Sequence, residues 1–290
     1  MRLIFIPILL IFLSVIFGGH YLVYYTIVKF FNITNSQTRI ILLTTTIILS
    51  LSLLASMLLA HASNALLIRW LYITVSTWHG FLVNLFLASI ICWLFYFFVK
   101  YFGINLDFKT ILSVLFVATI AISTYGIWNA QNPRLKNIVV NIKNLPSQWQ
   151  NKKIVFVSDI HLGAVNRTPF IKKIVKQINL VEPELILIGG DYFDGSLSEY
   201  NSLTDPLKSI DSKYGVLFIN GNHESYIGER GADQALQEAG VKILKDEIAN
   251  INGLNIIGAD FTSDLGNKQG VAELMKRVKP EEANIFLHHE

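Results

Sequence analysis

The sequence predicts an N-terminal α-helical transmembrane bundle over residues 1–130, followed by a layered α/β domain over residues 151–290. Of 24 Lys and Arg and 21 Asp and Glu residues, only seven lie before residue 131. The same part of the chain contains long uncharged apolar runs, which a soluble domain does not tolerate. After residue 150, short apolar runs alternate with stretches of helical periodicity, which is typical of a parallel sheet covered by helices.

Four membrane spans are predicted from runs of about 20 apolar residues, the length that crosses a hydrocarbon layer of about 30 Å. The stretch from Leu66 to Val99 exceeds one span and carries Arg69 near its start. It is interpreted as an interfacial approach followed by one span, and a division into two spans is the alternative. The predicted spans are residues 3–24, residues 40–60, about Leu71 or Phe81 to Phe98, and residues 110–128.

Orientation follows from the Lys and Arg residues that flank the spans. With the N-terminus inside, five lie on the cytoplasmic side and four outside, and an even number of spans puts the α/β domain on the same side as the N-terminus. This count favours a cytoplasmic domain. A cleaved signal peptide is disfavoured because further spans follow Arg2. His20, His61 and His79 are expected near span ends, solvated by headgroups or water, and the absence of paired acids at mid-span argues against a transporter.

A linker and edge strand are predicted over residues 131–150, where Pro, Asn and Lys mix with short β-like runs. Residues 153–158 then form a continuous apolar run typical of a buried parallel strand. Thr168 is expected to cap a helix that has Pro169 in its first turn. A second apolar run over residues 185–188 completes a right-handed βαβ unit.

The alternation continues to the end of the chain. A third strand is predicted over residues 216–219, followed by a helix over residues 232–239. Asn252 and Gly253 separate two β runs, residues 248–251 and 254–257, and Asn-Gly between apolar runs is the strongest short signal of a hairpin. A last helix (271–278) and strand (284–287) follow.

Polar clusters follow four of the predicted strands directly. In an open α/β sheet, ligands bind outside the carboxyl ends of the strands, so these clusters should converge on one crevice. The clusters are Ser158-Asp159-Ile160-His161, Gly190-Asp191-Tyr192-Phe193-Asp194, Gly221-Asn222-His223-Glu224 and His288-His289.

Carboxylate, amide and imidazole groups in one crevice predict a site for two divalent cations. Asp159 and His161, two residues apart on an extended segment, should face the same side and hold one cation. Asp191 can bridge to a second cation, which Asn222 and a histidine of the last cluster would also hold. Mixed nitrogen and oxygen ligands without thiolate favour Mn, Fe or Zn type ions. Such a pair activates water for attack on a phosphoester.

These residues resemble the calcineurin-like metallophosphoesterases, and the membrane-linked bacterial branch in particular. The resemblance covers residues 151–290 and rests on Asp-x-His, Gly-Asp-x-x-Asp, Gly-Asn-His-Glu and a later His, in this order. It implies that Asp159 and His161 bind the first metal, that Asp191 bridges, and that Asn222 and His289 bind the second. It also implies that His223 protonates or stabilises the leaving oxygen, and that Asp194 and Glu224 orient neighbours without touching metal.

One feature departs from the family pattern. The family carries a later Gly-His-x-His motif that gives each metal a further histidine, and nothing like it precedes Glu290. We therefore expect that the chain is a truncated copy of a longer protein, with His289 poorly held and activity impaired. Assaying the chain beside a version extended through that motif tests this expectation, and equal turnover would contradict it.

The function expected is hydrolysis of phosphoesters at the membrane surface, with lipid-linked phosphoesters among the candidate substrates and membrane lipids as partners. The alternative is a non-catalytic membrane protein whose degenerate domain binds a partner. No basic stripe with interleaved aromatics indicates nucleic acid, and a single cysteine, Cys92, excludes a disulfide framework. Asp260 and Asp264 are interpreted as loop residues, and the lysines of residues 172–176 as the solvated face of a helix.

Overall fold

The computed structural model describes residues 2–63, 65–195, 200–227, 229–261 and 268–289. The chain divides into two compact units, Met1–Asn132 and Pro133–Glu290. The first unit consists of helices and the second of alternating strands and helices, as the fold class predicted. The fold class is thus confirmed.

The first unit contains four helices that are long and apolar enough to cross a membrane, counted over the described residues. Each has few charged side chains, so most of its exposed surface is apolar, as lipid requires. Interhelical hydrogen bonds join Trp93 Nε1 to Thr26 Oγ1 at 2.9 Å and Asn84 Nδ2 to Ser123 Oγ at 3.0 Å. The helices are α1 (Arg2–Phe30), α2 (Ser36–Ala62), α3 (Leu66–Tyr101) and α4 (Phe108–Ala130).

Helix α3 corrects one prediction about the spans. It runs unbroken through 36 residues, about 54 Å at 1.5 Å per residue, so the division into two spans is wrong. The helix is longer than a hydrocarbon layer of about 30 Å, and the interfacial position of its first part stays a prediction. No proline interrupts its backbone hydrogen bonds between Leu66 and Tyr101.

The histidines of the first unit correct a second prediction. Helix α1 extends to Phe30, so His20 lies at the middle of the apolar stretch Leu10–Phe30 and is only 3% exposed. It accepts a hydrogen bond from Trp78 Nε1 at 3.0 Å, and its ring centroid lies 5.3 Å from that of His79. These two histidines are therefore part of the helix packing, whereas His61 is exposed in the last turn of α2.

The second unit contains two sheets. In the first sheet β1 (Ile154–Val157), β2 (Leu185–Ile188), β3 (Val216–Phe218) and β4 (Val241–Ile243) are parallel and adjacent in this order. In the second, β6 (Leu254–Gly258) pairs with β5 (Glu247–Ile251) antiparallel and with β7 (Ala283–Leu287) parallel. Asn252 and Gly253 make the turn between β5 and β6 with positive φ values of 48° and 80°, as the Asn-Gly signal predicted.

Helices cover the outer face of each sheet, so the unit has four layers. The outer face of the first sheet packs against α5 (Thr168–Val181), α6 (Tyr200–Thr204) and α8 (Glu229–Glu238). Helix α7 (Asn222–Ile227) precedes α8 and contacts it. Helix α9 (Lys268–Lys276) packs on the second sheet through Leu274. Between the sheets lies an apolar core that includes Leu187, Leu217 and Ile256.

The segment before β1 differs from its prediction. Residues 131–150, all described, contain a single 3₁₀ turn (Ser147–Trp149) and no strand. Val139 is 92% exposed and pairs with no neighbouring strand, and Asn144 has a φ of 56°, which interrupts an extended backbone. The expected edge strand is therefore not formed.

The start of α5 also differs from its prediction. Arg167, not Thr168, is the N-cap residue, and no side chain caps the helix. Thr168 is the first helical residue, and its Oγ1 donates to the carbonyl of Ser202 at 3.0 Å. Pro169 lies in the first turn as expected, where its missing N–H leaves no bond unmade.

Candidate metal centre

The polar clusters of the second unit follow the carboxyl ends of three adjacent parallel strands. The register aligns Val157 with Ile188 and Ile188 with Phe218, so the first three strands end at the same level. The residues that follow them therefore meet at one edge of the first sheet. The second sheet contributes through β7, because its C-terminal residue Leu287 is followed by His288 and His289.

The backbone at these strand ends is left-handed rather than extended. Asp159, His161 and Asp191 have φ values of 55°, 49° and 52°, a conformation that costs an L-residue about 1–2 kcal/mol. Hydrogen bonds from Asp159 N–H to the Gly190 carbonyl (3.1 Å) and from His161 N–H to the Asp191 carbonyl (3.0 Å) hold the two loops together. The expectation of an extended Asp159–His161 segment was wrong, yet both side chains still reach one site.

Asp191 lies at the centre of the site and is 3% exposed. Its Oδ2 atom lies 3.3 Å from His289 Nε2, 3.7 Å from His161 Nε2 and 4.0 Å from His223 Nε2. Asp159 lies at the open side, with its side chain 58% exposed and its Oδ1 3.8 Å from His161 Nε2. One carboxylate thus faces three imidazole rings.

Two overlapping groups of side chains are close enough together to hold a metal ion. In each group, one ligand atom per residue lies within 4.8 Å of the others, and Asp191 belongs to both groups. This division differs from the predicted one, which paired Asp159 with His161 at the first metal. The groups are His161, Asp191 and His223, and Asp159, Asp191 and His289.

Backbone carbonyls orient two of the histidine rings. His289 Nδ1 lies 2.7 Å from the Gly189 carbonyl, and His223 Nδ1 lies 2.9 Å from the Asp194 carbonyl. Because a carbonyl oxygen only accepts, Nδ1 carries the proton in both rings, and each Nε2 faces Asp191. This arrangement directs Nε2 of each ring toward the centre of the site.

Between the two histidines that follow β7, the structure selects His289. His289 is 6% exposed and lies against Asp191, whereas His288 is exposed. The expectation that His289 would be poorly held was wrong, because the Gly189 carbonyl fixes its ring and Phe261 packs edge-on against it at 6.3 Å.

Glu224 organises the loops beneath the site. It is fully buried and its carboxylate accepts three backbone hydrogen bonds, from Asp191 N–H (2.9 Å), Phe193 N–H (3.0 Å) and Gly221 N–H (2.8 Å). A buried carboxylate is tolerated where N–H donors replace its hydration. Glu224 thereby ties the loop after β2 to the loop after β3.

Asp194 and Asn222 complete the set of predicted residues. Asp194 Oδ2 accepts from Ala164 N–H at 2.9 Å, while its backbone carbonyl orients His223. Asn222 is the first residue of α7, and the next N–H, that of His223, donates to Asp191 Oδ1 at 3.0 Å. The individual roles of these residues, and of the histidines, stay predictions.

Two glycines permit the loops to approach this closely. A Cβ atom on Gly190, whose φ is +91°, would lie 2.7 Å from His289 Nδ1. A Cβ atom on Gly221 would overlap the Asp191 carboxylate. Both positions therefore require the absence of a side chain.

Sequence reasoning missed two aromatic residues beside the site. Tyr192 is fully buried and its hydroxyl donates to the Leu203 carbonyl at 2.7 Å. Burial raises the pKa of Tyr192 well above its usual value, so it stays protonated.

Phe261 was also missed, although it follows the carboxyl end of β6, where Asp260 lies in a loop as expected. Asp264 lies outside the described residues.

The donor set fits a divalent cation. Asp159, Asp191, His161 and His289 offer carboxylate oxygens and imidazole nitrogens without thiolate, a combination suited to Mn, Fe or Zn. The burial of Asp191 beside three rings that present Nε2 supports the same conclusion, since a buried carboxylate is stabilised by a positive neighbour. The site can therefore hold metal through this chain's own residues.

Comparison with protein families gives a match for this part of the chain. The family model described as calcineurin-like phosphoesterase matches residues 152–290. The match contains every residue discussed above at the strand ends.

The curated relatives that match this chain have names that contain the word metallophosphoesterase. A zebrafish (Danio rerio) transmembrane protein with metallophosphoesterase domain is 29% identical, over 49% of this chain and 33% of its own length. A Helicobacter pylori uncharacterized metallophosphoesterase is 30% identical, over 43% of this chain and 33% of its own. A cattle (Bos taurus) protein with the same name as the zebrafish one is 29% identical, over 60% and 43%. The chain thus spans about a third to under half of the length of these relatives.

Proposed function

Because residues 152–290 form a calcineurin-like metallophosphoesterase domain, we propose that this chain hydrolyses phosphoesters at a membrane surface with two divalent cations. The observation that carries the proposal is the position of Asp191. A single buried carboxylate shared by two groups of metal-type donors is the arrangement expected of a bridging ligand.

Two sets of residues would hold the cations. By the family resemblance, Asp159 and His161 would hold the first and Asn222 and His289 the second, with Asp191 between them. When bound, divalent cations supply Lewis-acid charge that lowers the pKa of water and offsets negative charge on a phosphoester. The proximity of Asp159 to His289 and of His161 to His223 supports a single compact centre.

His223 would handle the proton of the leaving group. Its Nδ1–H is fixed on the Asp194 carbonyl, so only Nε2 faces the site. A proton carried at Nε2 can be given to an oxygen that leaves phosphorus, which removes the cost of expelling an alkoxide. The ring is held in place by Asp194, whose own carboxylate is tied to Ala164.

Glu224 would hold the two metal-binding loops at a fixed spacing during the reaction. By accepting from the N–H groups of Asp191, Phe193 and Gly221, it fixes the spacing between the two loops that carry most of the ligands. Fixed ligands preserve productive geometry, in which shifts of about 1 Å are costly.

Action at the membrane follows from the first unit. Its four apolar helices would confine the domain to the bilayer surface, where lipid-linked phosphoesters are present at high local concentration. The substrate class proposed is therefore a phosphoester carried by, or found near, a lipid.

The test is hydrolysis of a generic aryl phosphate by the chain in detergent micelles. Asp191→Asn should abolish metal-dependent turnover, because an amide at the shared position cannot bridge two cations. Asp211→Asn, on an exposed loop, is the matched control and should leave turnover unchanged. Full activity of Asp191→Asn would refute the assignment.

A further inference from the structure

The charged residues of the second unit are unevenly divided along the chain. Residues 131–181 contain nine Lys and Arg and one acidic residue, Asp159, whereas residues 182–290 contain nine Lys and Arg and nineteen Asp and Glu. The strongly basic part follows the apolar helices directly in sequence. The nine are Arg134, Lys136, Lys143, Lys152, Lys153, Arg167, Lys172, Lys173 and Lys176.

Helix α5 presents part of this charge together with an exposed apolar side chain. One face of the helix is buried through Ile171, Ile174, Val175 and Ile178. On the opposite face, Lys172 and Lys176 are exposed, and Leu180 follows one turn later with 73% of its surface exposed. These three residues border a shallow groove of about 410 Å³. An exposed apolar side chain beside exposed lysines suits contact with a membrane interface, where both kinds of group find favourable surroundings.

The segment after Pro133 has the same character. Ile138, Val139 and Val140 are 70%, 92% and 68% exposed, and exposed basic residues flank them at Lys136 and Lys143. Three consecutive exposed β-branched residues are unfavourable in water and favourable among lipid headgroups and acyl chains.

A hydrogen bond joins the segment to the helix. Gln177 Nε2 donates to the Pro133 carbonyl at 2.8 Å, and Gln177 is a half-buried residue of α5 that follows Lys176 in sequence. The basic segment therefore starts against α5, the helix that carries Lys172 and Lys176. Ile138–Val140 border a different cleft, beside Phe156 of β1 and Phe286 of β7. We therefore call Arg134, Lys136, Lys172, Lys176 and Leu180 the basic surface.

We propose that the basic surface docks on the anionic lipid headgroups of the membrane in which the four helices are embedded. This inference rests on the membrane location in the proposed function and specifies which surface of the domain meets the lipid. Lysine and arginine side chains are attracted to anionic headgroups, while the exposed apolar side chains enter the interface. The acidic remainder of the domain is repelled by the same headgroups, which favours one orientation over the others.

Fluorescence quenching in lipid nanodiscs tests this proposal. The native Cys92 is 0% exposed, so an environment-sensitive probe can be attached to an introduced cysteine in Leu180→Cys. With headgroup-labelled quencher lipids, the probe should be quenched several-fold more strongly in anionic than in zwitterionic discs. Met275→Cys on α9, where Met275 is 46% exposed, is the control and should show little quenching in either.

Reversing the charge of two lysines is a second test of the docking proposal. Since each basic residue contributes about fivefold to attraction by an anionic surface, Lys172→Glu with Lys176→Glu should weaken docking by at least about 25-fold. Raising the salt concentration should also weaken docking of the unaltered chain, so this measurement needs no charge variant. Equal quenching at positions 180 and 275, or quenching indifferent to lipid charge, would overturn the proposal. The readout requires no hydrolysis, so an inactive enzyme would not alter the result.

Discussion

Asp191 illustrates what single residues contribute to this site. Its φ of 52° is a conformation that non-glycine residues rarely adopt, and the surrounding hydrogen bonds compensate its cost. The sequence predicted that Asp159, His161, Asp191 and His289 would meet, because each follows a strand end. It did not predict the left-handed backbone, because the contacts that enforce that backbone come from a neighbouring loop.

His20 shows a second limit of prediction from sequence. The apolar run of the first span continues beyond its predicted end, so a histidine expected near a headgroup lies mid-helix, bonded to Trp78. The partner is 58 residues away in sequence. Only the packing of α1 against α3 reveals that the ring has a hydrogen-bond donor.

Gly190 gives a residue-scale prediction. Gly190→Ala should weaken metal binding strongly, because the new methyl group would collide with His289 and also face an unfavourable φ of +91°. Gly215→Ala is the matched control, since Gly215 has a φ of +75° and open space around it. It should cost only the backbone strain of about 1–2 kcal/mol. Metal affinity measured by calorimetry should separate the two, and equal affinities would contradict the argument.

At the scale of elements, the strands that carry the chemistry were the most predictable. Runs such as Leu185–Ile188 are buried on both faces, which a continuous apolar sequence signals. The three-residue strand β4 was missed because Val241–Ile243 carries a lysine at its centre and is too short for any period. The short helices α6 and α7 were missed for the same reason, since five and six residues hold fewer than two turns.

The segment before β1 was misinterpreted because local propensity does not supply a pairing partner. Its β-branched residues favour a strand, yet a strand requires a neighbour. Instead, Trp149 anchors the segment by burying its ring between the sheets at 3% exposure and donating Nε1–H to the Ile251 carbonyl at 2.9 Å.

Trp149 provides the prediction at this scale. Trp149→Phe should keep most of the apolar contact and lose the hydrogen bond, lowering the stability of the α/β unit by about 1–3 kcal/mol. Trp128→Phe, at a position where the ring is 54% exposed, is the control and should leave the unfolding of that unit unchanged. Scanning calorimetry measures both, and an unchanged transition in Trp149→Phe would show that the anchor contributes nothing.

At the scale of the whole molecule, the distribution of charged and apolar residues along the chain was enough to predict most of the fold class. The near absence of charge before residue 131 predicted four apolar helices, and the later alternation predicted the layered α/β domain. Composition did not distinguish one long helix from two spans in α3, since both have the same hydropathy. The joint presence of several polar clusters at strand ends, more than any one motif, indicated the metal centre.

We propose that Asp191 is the shared ligand of a two-cation site. The metal content of the purified chain, measured after equilibration with Mn²⁺ or Zn²⁺, is the direct test of this role. We expect about two cations per chain, and fewer than about one in Asp191→Asn, with both proteins folded by circular dichroism. A folded chain without bound metal, or an Asp191→Asn variant that binds as much metal as the unaltered chain, would contradict it.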